Sequence, residues 1–80
     1  MAKAVTVYTT PSCVQCEATK KLLTSNMIAF EVVDLSAPEN QDKLAGFKAQ
    51  GLMQAPIVEA GGEVWTGFQP GKIIALAGQN

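Results

Sequence analysis

Histidine is absent from the 80 residues. The chain therefore lacks the side chain that titrates near neutral pH and is the commonest metal ligand. Proton transfer must use water, thiols or carboxylates. Cysteine is scarce, with two residues. A four-ligand zinc site would then need a second copy or carboxylates. Basic residues are few, six against seven acidic for a net charge of −1, and they form no stripe. That argues against nucleic-acid binding. Apolar runs extend a few residues at most, far short of the roughly 20 that cross a bilayer, so no membrane partner is expected. Charged residues make up 16% and hydrophobic residues 48%, too apolar a balance for a disordered segment. A length of 80 allows one domain, residues 1–80, with a modest core. The opening Met1-Ala2-Lys3-Ala4 runs straight into a strand pattern with no apolar signal core. The expected address is the cytoplasm, where a disulfide is usually transient and catalytic or redox-sensing.

What is present reads as an alternation of strands and helices. Val5-Thr6-Val7-Tyr8 alternates apolar and polar residues, the period of a strand. Thr10-Pro11-Ser12 breaks it. Ser12, with Gln15 three residues on, reads as a capping box opening a helix from Cys13 to about Asn26. Cys16, Leu22, Leu23 and Met27 are its inward candidates. Ile28 to Asp34 reads as a second strand, with Asp34 helping the turn that follows. Ser36-Ala37-Pro38-Glu39 reads as a second capping box, with a helix to about Gln50 and Gly51 as its stop. Leu44 and Phe47 share a face of that helix. Ile57–Ala60 and Glu63–Thr66 read as strands joined by a two-residue Gly61-Gly62 turn. Pro70 opens a last helix carrying Ile73, Ile74 and Leu76. The order β-α-β-α-β-β-α implies an α/β protein with a four-stranded mixed sheet and helices packed on it.

Both cysteines lie in Cys13-Val14-Gln15-Cys16, at the junction of the first strand and first helix. They close too small a loop to serve as a staple. With Ser12 as cap, Cys13 is the first helical residue, next to unpaired backbone N–H groups and the positive end of the helix dipole. Both favour thiolate over thiol. Cys13 is the expected nucleophile. Cys16, one turn on, is the expected resolving thiol. Glu17 would partly oppose thiolate formation if close. Lys20 and Lys21 read as a solvated helix face. No motif calls for a metal or an organic cofactor.

Thr10-x-x-Cys13-Val14-Gln15-Cys16, Gln54-Ala55-Pro56 and Trp65-Thr66-Gly67-Phe68-x-Pro70 together resemble the NrdH-redoxins, glutaredoxin-like proteins that behave like thioredoxins. The resemblance covers nearly the whole chain. It implies a thioredoxin fold, with the four-stranded mixed sheet flanked by three helices. It implies a monomeric electron donor to the large subunit of class Ib ribonucleotide reductase. Electrons would come from NADPH through thioredoxin reductase. It further implies a cis Pro56 facing the cysteines, leaving the Ala55 backbone free to pair with an extended partner segment. Val14, Gln15, Ala55, Pro56, Trp65, Thr66, Gly67 and Phe68 are the expected partner-binding residues. Trp65 is also expected as a hairpin aromatic covering the core. The chain departs from the family at Gln69, where arginine is usual, and near Gly71, where an acidic residue is frequent. The Arg exchange removes a charge and a planar donor fork.

Two other functions are compatible with the cysteine pair. A glutathione-dependent glutaredoxin would share the motif, but Gly67-Phe68-Gln69-Pro70-Gly71 offers no carboxylate for the glutathione amine. A redox sensor or a metal-bridged module is the other. A dimer sharing an iron–sulfur cluster would need extra thiolates, such as glutathione, to reach four ligands.

Overall fold

A computed structural model describes residues 4–52 and 54–77. Strands β1 (Val5–Thr9), β2 (Glu31–Asp34), β3 (Ile57–Ala60) and β4 (Glu63–Thr66) alternate with helices α1 (Val14–Ser25), α2 (Gln41–Ala49) and α3 (Pro70–Ala77). A 3-10 turn, Pro38–Asn40, leads into α2. The sheet runs β2-β1-β3-β4, so β2 and β4 are its edges. β1 pairs with β2 in parallel, with Val7 opposite Val32. β1 with β3, and β3 with β4, are antiparallel. This is the thioredoxin fold, with the mixed sheet and helix count that the sequence leads one to expect.

Strand alternation sorts the apolar residues to two faces. Val5 and Val7 of β1, with Val58 and Ala60 of β3, meet Leu23 of α1 and Ile73 and Leu76 of α3. Ile28 and Trp65 complete that cluster. Tyr8 and Ile57 point the other way and meet Leu35 and Phe47 of α2. Each large aliphatic side chain taken from water contributes about 1.5–3 kcal/mol, so the first cluster holds most of the stabilisation. On the second face the Tyr8 and Phe47 rings meet edge to face, 4.8 Å apart at 70°. The Lys43 ammonium lies 5.6 Å from the Tyr8 centroid.

Several boundaries differ from the sequence expectation, each for a local reason. Helix α1 ends at Ser25, where the Asn26 side chain donates to Leu22 O at 2.9 Å. Met27 then takes a left-handed φ of 59° and is 90% exposed, so it is not a core residue. Strand β2 starts at Glu31, three residues later than expected, although Ile28 is buried. Ser36 caps no helix. Its N–H and Oγ–H both donate to Asp34 Oδ1, at 2.8 and 2.7 Å. The 3-10 turn starts from Ala37 with Pro38 in its first position. Asp34 supports this turn as expected, and the two bonds hold its carboxyl below the usual 3.8. Ile74 lies on the outer side of α3 and is exposed. The Gly61-Gly62 turn, with φ of 54° and 91°, gives the two left-handed residues of a type I′ hairpin.

Candidate redox site

The entry to α1 builds the site. Ser12 has a φ of 57°, which rules it out as the extended residue a helix cap requires. Cys13 takes that place, with φ −107° and ψ 104°. Its Sγ accepts the N–H of Cys16 at 3.0 Å. A sulfur thus stands where a serine or aspartate oxygen normally caps a helix. Cys13 is consequently the cap, and Val14 is the first helical residue. The expected Ser12–Gln15 box does not form. The electrostatic argument survives the correction in a stronger form. One of the orphan amides at the N-terminus of α1 bonds directly to the sulfur, and charge-assisted bonds of this kind favour the thiolate of the reduced state.

Cys13 and Cys16 form a disulfide, with Cα atoms 5.2 Å apart. The two sulfurs have unlike surroundings. Cys13 is half-buried, whereas Cys16 is 1% exposed. An incoming thiol or disulfide can reach Cys13, whereas Cys16 offers it almost no surface. Thr19, one turn further along α1, is also buried, and its hydroxyl has no partner.

One side of the pair opens on a groove of about 490 Å³. Thr9, Pro11, Ser12, Val32 and Asp34 line it together with both cysteines, Glu17 and Lys20. Glu17 forms an ion pair with Lys20, so the carboxylate nearest the cysteines in sequence has its own counter-charge. Lys20 is half-buried and faces this groove, unlike Lys21, which is exposed. The sequence reading of Lys20 as a solvated residue missed this. The signal was available, because Lys20 follows Cys16 by four residues and so shares its helix face.

The other side of the pair is tied to two loops from the far end of the chain. Gln15 Oε1 accepts the Phe68 N–H at 3.1 Å. The Gly67 N–H donates to Pro56 O at 2.8 Å. Gln69 donates through Nε2 to Thr66 O at 3.0 Å, so this residue closes the loop on itself. The Ala55–Pro56 peptide is cis. Gly67 has a φ of 79°, and a Cβ there would lie 3.4 Å from Gln15 Oε1. The structure thereby brings Gln15, Pro56, Gly67 and Phe68 together around the Cys13–Cys16 segment.

The remaining residues singled out from the sequence divide by exposure. Val14 is 84% and Phe68 38% exposed. Ala55 and Thr66 are half-buried. Trp65 is 5% exposed, part of the α1–α3 cluster, with the Lys72 ammonium 5.6 Å from its ring centroid. Its indole N–H has no partner. The core-covering reading of Trp65 therefore describes what the ring does. It offers a partner almost no surface of its own. Among the described residues no three Cys, Asp or Glu side chains cluster as metal ligands would, and no helix is long and apolar enough to cross a membrane.

The Glutaredoxin family profile matches residues 5–65. The glutaredoxin-like protein NrdH of Salmonella typhimurium is 42% identical over 74 residues, spanning 91% of this chain and 88% of that protein. The protein of the same name from Lactococcus lactis is 34% identical over 76 residues, spanning 91% and 99%. The solved structure of NrdH-redoxin from Escherichia coli, a glutaredoxin-like protein with a thioredoxin-like activity profile, superposes with a TM-score of 0.84 at 36% identity over 91% of this chain and 93% of that one. With its cysteine pair, its fold and a likeness over 91% of its length in agreement, the chain belongs to the glutaredoxin family, among the NrdH-redoxins.

Proposed function

We propose that the chain is a cytoplasmic, monomeric, one-domain dithiol carrier that passes electrons from NADPH, through thioredoxin reductase, to the large subunit of class Ib ribonucleotide reductase. The observation that carries the redox part is the asymmetry of the pair. Cys13 Sγ is reachable and bonded to the Cys16 N–H, while Cys16 is buried behind it. The thioredoxin-like activity profile of the Escherichia coli relative supports thioredoxin reductase as the electron source.

The reaction follows from that geometry. In the reduced chain the Cys13 thiolate attacks one sulfur of the target disulfide. A mixed disulfide forms, and the second target sulfur leaves as a thiolate and takes up a proton. Cys16 then gives up its proton and attacks Cys13 Sγ, displacing the first target sulfur. Two electrons pass to the target, whose two sulfurs take up two protons, one given up by Cys16 and one from water, and the Cys13–Cys16 bridge remains. Val14 and Phe68 provide exposed apolar surface for a protein partner. Ala55, Thr66 and Gly67 frame the approach, and the buried Pro56 and Trp65 support it from beneath.

NADPH consumption with an insulin or reductase disulfide as acceptor tests the reading. One arm contains thioredoxin reductase, the other glutathione and glutathione reductase. Turnover with thioredoxin reductase alone is expected. Turnover mainly with glutathione would overturn it and place the chain with glutathione-dependent glutaredoxins. For the cysteine roles, Cys16→Ser is expected to trap the acceptor as a mixed disulfide while Cys13→Ser traps little. Equal trapping would refute the assignment.

A further inference from the structure

Thr19 carries a hydroxyl that the exchange reaction leaves unused. Its oxygen is enclosed and has no hydrogen-bond partner, although a threonine in a helix commonly donates to the carbonyl three or four residues back. A buried hydroxyl without a partner is destabilising, which points to another state of the molecule in which it is bonded. The helix shows where that partner lies. Cys16, Thr19 and Leu23 form the buried stripe of α1, with Cys16 1% and Thr19 0% exposed. Residues three apart on a helix are neighbours, and each side chain leans back over the turn that precedes it. Thr19 therefore leans towards Cys16. In the bridged chain the Cys16 sulfur is bonded to Cys13, uncharged and a weak acceptor. Opening the bridge releases that sulfur as a thiolate, which needs a donor.

We propose that the Thr19 hydroxyl is the hydrogen-bond donor to the Cys16 sulfur in the open, dithiol state. This rests on the dithiol-carrier reading above and adds a residue to it. The burial that shields Cys16 disfavours its thiolate, yet resolution needs that thiolate to attack Cys13 Sγ. A donor already inside the protein offsets the desolvation without admitting water. The same bond serves the opposite direction. When a reductant thiolate attacks Cys13 Sγ, the Cys13–Cys16 bond breaks and Cys16 leaves as a thiolate facing Thr19, to be protonated from water afterwards. The charged groups around Cys16 are engaged elsewhere. Glu17 and Lys20 of α1 and Asp34 of β2 share its groove, but Glu17 is paired with Lys20, and Asp34 is bonded twice to Ser36. β1, β3 and α3 turn apolar residues to this side of the sheet.

The test compares the full-length chain with Thr19→Val, which keeps the shape and removes the donor, and Thr19→Ser, which keeps the donor. Carbon-labelled cysteine lets the Cβ signals of Cys13 and Cys16 be titrated separately by NMR in the reduced chain. The second readout is the rate at which dithiothreitol reduces the bridge, its two thiols closing to a disulfide as the chain becomes the dithiol. A bond of this kind is worth about a factor of 3–10 in an equilibrium. Thr19→Val is expected to raise the Cys16 midpoint by about half to one pH unit and to slow dithiothreitol reduction about threefold. The Cys13 midpoint should stay in place, and Thr19→Ser should follow the parent in both readouts. The bridged form of Thr19→Val should melt no lower than the bridged parent, because the hydroxyl it loses is unpartnered there. That result separates a redox role from a structural one. An unmoved Cys16 midpoint in Thr19→Val would overturn the proposal. So would an equal rise in Thr19→Ser, or a bridged Thr19→Val that melts well below the parent. Neither readout needs a reductase, so failure of the parent with thioredoxin reductase would count against the carrier reading alone.

Discussion

The α1–α3 face and the α2 face of the sheet are held in different ways. On the first, nine buried residues among those described form one apolar cluster, and Leu23 and Ile73 are fully enclosed. On the second, four buried residues suffice, and Phe47 is the sole buried residue of α2. What the α2 side lacks in burial it replaces with local polar bonds. Ser36 bonds twice to Asp34, and Asn40 Nδ2 donates to Asp34 O at 2.7 Å. Gln41 Nε2 donates to Leu35 O and Ala37 O. The cysteines are mounted on the heavily packed side, where α1 buries Cys16, Thr19 and Leu23. A nucleophile whose helix cap is its own sulfur needs that fixity. The polar side meets it at the groove, where Asp34 lies across from the cysteines.

The comparison can be broken most directly at Leu23. Truncation to alanine would leave a cavity in the larger cluster and is expected to cost about 3 kcal/mol. That is a large share of the roughly 4–12 kcal/mol available to a domain of this length. Urea unfolding measures it, and a loss below about 1 kcal/mol would mean that the α1–α3 face is not the main support. A smaller effect separates the helices without any substitution. Native-state hydrogen exchange of Phe47 in α2 is expected to proceed by an opening at least about 1 kcal/mol cheaper than that of Leu23 in α1. Equal values would erase the distinction between the faces. The smallest effect concerns acid. The Asp34 carboxyl is held low by the Ser36 hydroxyl first and the Ser36 N–H second. A depressed carboxylate contributes stability above its unfolded value and loses that contribution as pH falls through the folded value. The Asp34 turn should therefore weaken only below pH 3.8. In Ser36→Ala the Asp34 titration, followed by carboxyl NMR, is expected to move up towards 3.8 while the cysteine face is unaffected. An unmoved midpoint would remove the hydroxyl as its cause.

Legibility from sequence followed the range of the interactions. β3, β4 and their hairpin were readable to the residue, because alternation and the Gly61-Gly62 pair are local signals with one physical solution. The cysteine pair was readable because spacing and context lie within four residues. Ser12 was misread because a serine before a helix normally caps it, and nothing local announces that its φ will be positive. Met27 was misplaced because periodicity marks a face but not where the face ends. The bond from Gln15 to Phe68 spans 53 residues and leaves no periodic trace. Its two partners were each singled out from the motifs, but their union was not visible there.

The edges of the sheet carry a last consequence. β2 reads Glu-Val-Val-Asp and β4 Glu-Val-Trp-Thr, each four residues long. A second copy seeking to extend the sheet across either border would meet like charges over too short a ladder to repay their approach. Crowded solutions of this protein should therefore resist fibrous growth through strand pairing, although half of the four strands present an unpaired side.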